Sequence, residues 1–260
     1  MANLPARVGW HWVKQGMQVF RQQPGALMAL FFSCMFLSLF SLFIPLVGGM
    51  APLLMAPMFS VAMLQACAEI DQRKRAMPGL VFSGFRKPAR RPLLGLGVLY
   101  LLVMLLSLTV LSLLDGGVLV QMATRQIPMD QAMLENSRSA LFVSSAVYMV
   151  GWMLTCLAAP LIYWQKMTLG KALFFSVVTV TRDLKAFLTT AVVLFLMFQV
   201  CTAIPVLLFD SPQIEVTAIF TIFLMMIVLM HCTLYASYRQ IFGPPQDAAA
   251  PATVDLNKPE

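Results

Sequence analysis

The stretch that decides the fold is residues 22–68, which read QQPGALMALFFSCMFLSLFSLFIPLVGGMAPLLMAPMFSVAMLQACA. These 47 consecutive residues contain no Asp, Glu, Lys or Arg. A transmembrane helix needs about 20 apolar residues, because each residue rises about 1.5 Å across a hydrocarbon core about 30 Å thick. The stretch is therefore too long for one span and suits two, with the break at the turn signal PLVGG, residues 45–49.

Four further uncharged runs are each long enough for one helix, which predicts an all-α membrane protein with six transmembrane helices arranged as three hairpins. The predicted spans lie at about 26–45, 48–68, 93–114, 140–164, 186–209 and 216–238. They form a single polytopic membrane domain, residues 1–242. Residues 243–260, with four prolines and four alanines, are predicted to be a disordered cytoplasmic tail.

The amino-acid composition of the whole chain is also that of a membrane protein. Of 260 residues, 60% are hydrophobic and 11% charged, whereas a soluble domain averages about 45–50% apolar and about 25% charged residues. A soluble fold of this length could not bury so much apolar surface in one core. These figures exclude a soluble enzyme, a secreted disulfide scaffold and a disordered chain.

The distribution of Lys and Arg predicts the orientation. With the N-terminus inside, 16 of the 18 basic residues fall in inside segments, and only Arg125 and Arg138 fall outside. Short cytoplasmic loops carry such an excess, so both termini are predicted to be cytoplasmic. The net charge of +7 is then an orientation signal, and we expect no nucleic-acid partner.

Three segments outside the spans are predicted to lie at the cytoplasmic interface of the membrane. Residues 6–21 place a cationic face opposite Trp and Phe, which is typical of an interfacial helix; packing on the ends of neighbouring spans is the equal alternative. The loop 69–92 contains a further short interfacial segment. Residues 169–184 form a third segment, which is interfacial or re-entrant. Basic side chains near the surface attract anionic head groups, so the candidate anionic-lipid contacts are Arg7, Lys14, Arg21, Arg73, Lys74, Arg75, Arg86, Lys87, Arg90 and Arg91.

Catalytic and metal-binding patterns are missing from the sequence. It contains no GxSxG, HExxH or Walker loop, its two histidines are 220 positions apart, and its five cysteines form no CxxC pair. The predicted spans contain no charged residue, although ion-coupled carriers usually keep one. We therefore expect no enzymatic activity, no cofactor and no metal site.

The second span is the most irregular one, since Gly48, Gly49, Pro52 and Pro57 fall within ten residues. Proline kinks a helix, and broken helices at membrane depth can line substrate sites. If the protein is a transporter, Pro52, Pro57 and His231 are the expected cavity lining. The alternative is that the kink serves packing, and that His231 makes a hydrogen bond between helices.

Short motifs carry a family resemblance: Trp10, Gly16, Phe20 and Pro24 before the first span, IPLVG at 44–48 and ALFFS at 172–176. On these motifs the chain resembles a family of uncharacterised proteobacterial six-span inner-membrane proteins, the Burkholderia-type relatives of the YciC-like proteins. The resemblance implies an α-helical fold in the inner membrane and no particular reaction.

Two functions stay open at this stage. The first is a non-enzymatic accessory protein that interacts with membrane lipids, with other membrane proteins or with itself. The second is a small-molecule transporter or channel built around the kinked second span.

Overall fold

The computed structural model describes residues 4–43, 48–124, 137–209 and 211–245. Within these ranges every regular element is a helix. The α-helices are α1 (Arg7–Gln22), α2 (Pro24–Ser41), α3 (Ala51–Asp71), α4 (Arg90–Asp115), α5 (Val118–Ala123), α6 (Arg138–Thr155), α7 (Ala158–Trp164), α8 (Leu169–Arg182), α9 (Leu184–Leu208) and α10 (Pro212–Phe242), and a 3-10 helix covers Pro78–Phe85.

Six candidate membrane-spanning segments occur in the described residues, which confirms the predicted six-span, all-α fold. They are α2, α3, α4, the consecutive helices α6 and α7 taken together, α9 and α10. With 31 residues, α10 is about 46 Å long and exceeds the hydrocarbon core. The predicted turn at 45–49 lies mostly outside the described residues, as does the predicted tail beyond residue 245.

Prolines start several of these helices. Pro24 and Pro212 are the first residues of α2 and α10, and Pro52 is the second residue of α3. Proline is tolerated there because the first helical N–H groups have no partner within the helix, and its fixed φ suits the first turn. Pro52 is therefore a helix-start residue, whereas Pro57 lies inside α3.

Helix α3 is the centre of the buried core. Of its span, 61% of residues are buried, compared with 6% for α9. Nearly every side chain from Met58 to Ile70 is buried. Helix α3 contacts α1, α2, α4, α7, α10 and the 3-10 helix. We call this end of the bundle, where α3, α7 and α10 end, the Asp71 end.

The opposite end of the bundle is exposed and apolar. Its helix ends carry some of the most exposed large side chains described: Phe43 at 83%, Leu113 at 79%, Phe142 at 78% and Leu207 at 83%. In a membrane these side chains contact acyl chains instead of water, so their exposure carries no hydrophobic penalty. The molecule is thus densely packed at one end and surrounded by lipid at the other.

A glycine on α4 lets α3 and α4 approach closely. A Cβ atom on Gly97 would meet the Leu54 carbonyl oxygen at 2.3 Å, so no larger residue fits there. Leu54 is only three residues from the start of α3, whereas α4 continues for 18 residues beyond Gly97, about 27 Å. Most of the outer part of α4 therefore has no α3 beside it.

The outer part of α4 packs mainly on α6. The hydroxyl of Ser107 donates a hydrogen bond to the carbonyl oxygen of Ser144 at 2.8 Å. In the same way α9 and α10 pack on each other, with the rings of Phe198 and Phe223 6.3 Å apart. The two helix pairs thus extend away from the shared core around α3.

The segments between the spans pack against the bundle. The 3-10 helix contacts α3 through Phe85, whose ring lies 5.9 Å from that of Phe59. Phe59 is 12 residues before Asp71, so this loop folds back along about 18 Å of α3. Helix α8 buries Ser176, which donates a hydrogen bond to the Leu154 carbonyl oxygen at 2.7 Å, and exposes Phe174.

Candidate functional site

A partly open cavity of about 310 Å³ lies between α2, α3, α4, α6 and α10. Its walls are mostly apolar, with a few hydroxyl groups and one imidazole. The lining residues are Phe31, Cys34, Met35, Ser38, Pro52, Ala56, Phe59, Ser60, Met63, Tyr100, Trp152, Cys156, Met230, His231 and Leu234.

The structure brings together two of the three residues that sequence reasoning assigned to a cavity. Pro52 and His231 both line it, although they are 179 positions apart in the chain. Pro57 is buried in α3 and is not among the lining residues. The lining positions of α3 share one helix face, which Pro57 does not occupy.

The His231 ring is held by its own helix. Its Nδ1 lies 2.8 Å from the carbonyl oxygen of Ile227, one turn earlier. A carbonyl oxygen only accepts, so Nδ1 carries the proton of this bond and Nε2 of the neutral ring is left as an acceptor. The sequence alternative was a hydrogen bond from His231 to a neighbouring helix, whereas this bond stays within α10, on a side chain that also faces the cavity.

The ten candidate lipid-contact residues are all exposed. Ion pairs in the described residues join Arg182 to Asp183 and Arg239 to Asp71, and none of the ten takes part in one. Their charges are therefore not neutralised by the described part of the protein. They lie on α1, in the loop after α3, after the 3-10 helix and at the start of α4.

Helix α1 packs against the Asp71 end of the bundle. Trp12 is fully buried, its Nε1 donates a hydrogen bond to Gln240 at 2.6 Å, and its ring lies 5.1 Å from that of Phe187. Gly16 lies against the backbone of Thr233, where a Cβ would come within 2.8 Å of the Thr233 Cα. The basic side chains Arg7, Lys14 and Arg21 stay exposed on the other face.

Sequence reasoning missed a polar network that joins α3 to α10. Asp71 accepts hydrogen bonds from Tyr235, at 2.9 Å, and from the guanidinium of Arg239. One turn deeper, the sulfur atoms of Cys67 and Cys232 lie 3.4 Å apart. No spacing in the sequence points to contacts between positions 164 to 168 residues apart, so this network carried no recognisable signal.

A second carboxylate is buried where α8 meets α9. Asp183 accepts the backbone N–H of Leu4 at 3.1 Å and two hydrogen bonds from Arg182. The hydrogen bond to Asp183 raises the pKa of the Arg182 guanidinium, which therefore stays charged. Both carboxylate oxygens of Asp183 thus accept hydrogen bonds, and the bond from Leu4 ties the N-terminal segment to the start of α9.

No group of three or more His, Cys, Asp or Glu side chains comes together in the part of the chain that the structure describes. The arrangement therefore provides a mostly apolar cavity within the membrane-spanning helices and a basic surface near the Asp71 end. These are the features of an all-helical, multi-pass integral membrane protein.

Comparison with known proteins agrees with that class. The chain is similar to a probable inner membrane protein of Burkholderia thailandensis, with 28% identity over 264 residues that cover 96% of each chain. No protein-family model matches the chain, and no solved structure does. The similarity and the six apolar helices together support a multi-pass protein of the bacterial inner membrane.

Proposed function

We propose that this protein is a non-enzymatic accessory protein of the inner membrane that binds anionic lipid head groups through its basic surface. In this proposal the Asp71 end and both termini face the cytoplasm, and the chain is related to the YciC-like proteins. Membrane lipids are the principal partners, and a second copy of the chain or another membrane protein can share the surface.

The observation that carries the proposal is the state of the basic side chains. Ten of them are exposed and lie outside the ion pairs of the described residues. A Lys or Arg near an anionic membrane surface contributes about 1 kcal/mol of attraction. The cytoplasmic leaflet supplies the opposite charge that the protein does not provide for these residues.

The test is the lipid selectivity of the purified protein in nanodiscs that contain phosphatidylglycerol and phosphatidylcholine. We expect native mass spectrometry to find retained phosphatidylglycerol in excess of its share of the bilayer. The variant Arg86→Gln/Lys87→Gln/Arg90→Gln/Arg91→Gln should lose most of that excess, because it removes four neighbouring charges. The matched control Arg86→Lys/Arg90→Lys/Arg91→Lys keeps the charge and should keep the selectivity.

Removal of four inside charges also bears on membrane insertion, so a C-terminal topology reporter must show the same orientation in each variant. Equal retention of both lipids by the wild-type protein would contradict the proposal. Loss of selectivity in the charge-conserving control would contradict it as well, since charge would then not be the cause.

A transporter or channel is the second candidate function, because Pro52 and His231 line one cavity. The accessory function is favoured instead by the apolar walls of the cavity and by the fully buried Cys67 and Tyr235, which lie beyond its lining towards the Asp71 end. Solute uptake by proteoliposomes tests the alternative. Uptake that depends on His231 would support transport, whereas no uptake of any solute in a panel of polar solutes would argue against it.

A further inference from the structure

We propose that the cavity binds one acyl chain of a membrane phospholipid, which enters sideways from the bilayer. This site lies within the membrane-spanning helices. It goes beyond the proposed function because it requires neither the basic surface nor an anionic head group.

The shape of the cavity suits an extended acyl chain. On α3 the lining positions are 52, 56, 59, 60 and 63, which share one face over three helical turns. Eleven residues along a helix span about 16 Å. Positions 31, 34, 35 and 38 form the matching face of α2. The result is a groove parallel to the helices, and acyl chains in a bilayer run in the same direction.

The walls are suited to an apolar occupant. Met35, Phe59 and Trp152 are typical of the lining. The hydroxyl of Ser38 donates to the carbonyl oxygen of Cys34 at 3.0 Å, and Nδ1 of His231 bonds to Ile227, so both donors are engaged within their own helices. The polar groups that remain in the lining are few: Nε2 of His231 and the hydroxyls of Ser60 and Tyr100. Mostly apolar walls offer water few hydrogen-bond partners and favour an apolar occupant.

The surroundings determine what can enter. Beyond Met63 and Leu234, towards the Asp71 end, lie the fully buried Cys67 and Tyr235, which close the cavity on that side. Towards the opposite end, α4 extends about 27 Å past its contact with α3. The side chains there are exposed and apolar, such as Leu105 and Leu106. In a six-span membrane protein, acyl chains fill the space beside such faces.

Photo-crosslinking in neutral vesicles tests this proposal. The full-length protein is reconstituted in phosphatidylcholine that carries a diazirine on one acyl chain, and crosslinked peptides are mapped by mass spectrometry. Lipid around the bundle labels exposed residues such as Phe142 and Leu207. An acyl chain in the cavity also labels Cys34, Met63 and Cys156, which line it but are at most 5% exposed.

A matched pair of variants places the label in the cavity. Ala56→Phe fills the groove, and we expect it to reduce labelling of Met63 and Cys156 at least about fivefold, because the acyl chain can no longer be buried there. Ala203→Phe makes the same change on an exposed face of α9 and should leave that labelling unchanged.

The wild-type map decides the question even if Ala56→Phe fails to fold. Labelling of Phe142 and Leu207 without labelling of Cys34, Met63 and Cys156 would overturn the proposal. Modification of Cys34 or Cys156 by a membrane-impermeant, water-soluble thiol reagent would also overturn it, since the cavity would then hold water. Because these vesicles contain no anionic lipid, failure of the basic surface does not affect either outcome.

Discussion

At the scale of single residues, the two neighbouring tryptophans of α1 show how one helix meets two environments. Trp12 is fully buried and hydrogen-bonded to Gln240, whereas Trp10 is 48% exposed. The amphipathic pattern of residues 6–21 fitted either an interfacial helix or one packed on the bundle. The structure shows the packing, and the exposed cationic face remains available to a membrane surface.

Substitution of these tryptophans provides a paired test of that packing. Trp12→Ala should destabilise the protein by about 3–5 kcal/mol, since it leaves a large cavity and an unpaired Gln240. Trp10→Ala should cost less than about 1 kcal/mol, as is usual for exposed positions. The measurement is the thermal unfolding temperature in detergent. Equal losses in the two variants would show that α1 does not pack as described.

At the scale of elements, α3 and α9 show why hydropathy predicts spans but not their neighbours. The mean hydropathy of α3 is 1.6 and that of α9 is 2.5, yet α3 is mostly buried and α9 is mostly exposed. A lipid-facing helix needs apolar side chains all round, whereas a helix packed in protein can use small residues such as Ala62 and Ala66. Both helices are apolar on every face, so their sequences alone could not show which one lies in the centre.

The contact between α3 and α10 can be tested through their cysteines. The sulfur atoms of Cys67 and Cys232 are 3.4 Å apart and both side chains are fully buried. A membrane-permeant oxidant should therefore join them in an intramolecular disulfide, which peptide mass spectrometry detects. The single variant Cys67→Ser is the control and should lose the crosslink. Crosslinking of Cys232 to Cys201 instead would contradict this arrangement.

The candidate sites were predictable to different extents. The exposed basic residues could be identified because charge is visible in the sequence. Pro52 and His231 were selected for chemical reasons, and the structure places both at one cavity. Cys34, Trp152 and Cys156 could not be assigned to it, because an apolar side chain in a span has the same sequence signature whether it faces lipid, protein or a cavity. Pro57 was chosen for its kink, but the kink does not determine which face lines a cavity.

At the scale of the whole molecule, burial and charge follow the same axis. The buried core, the ends of α3, α7 and α10, and helix α1 with its exposed basic residues all lie at the Asp71 end. The opposite end exposes apolar side chains. This polarity agrees with the excess of Lys and Arg that predicts a cytoplasmic location for the Asp71 end. It separates the exposed basic side chains from the cavity among the membrane-spanning helices.

The central claim is a six-span protein with both termini in the cytoplasm, and a reporter that is active only in the periplasm tests it most directly. Alkaline phosphatase fused after residue 242 should be inactive, because the excess of Lys and Arg predicts that α10 ends on the cytoplasmic side. The same enzyme fused after Thr124, the residue that follows α5, should be active. Phosphatase activity of the fusion after residue 242 would contradict the account, since it requires an odd number of spans or the opposite orientation.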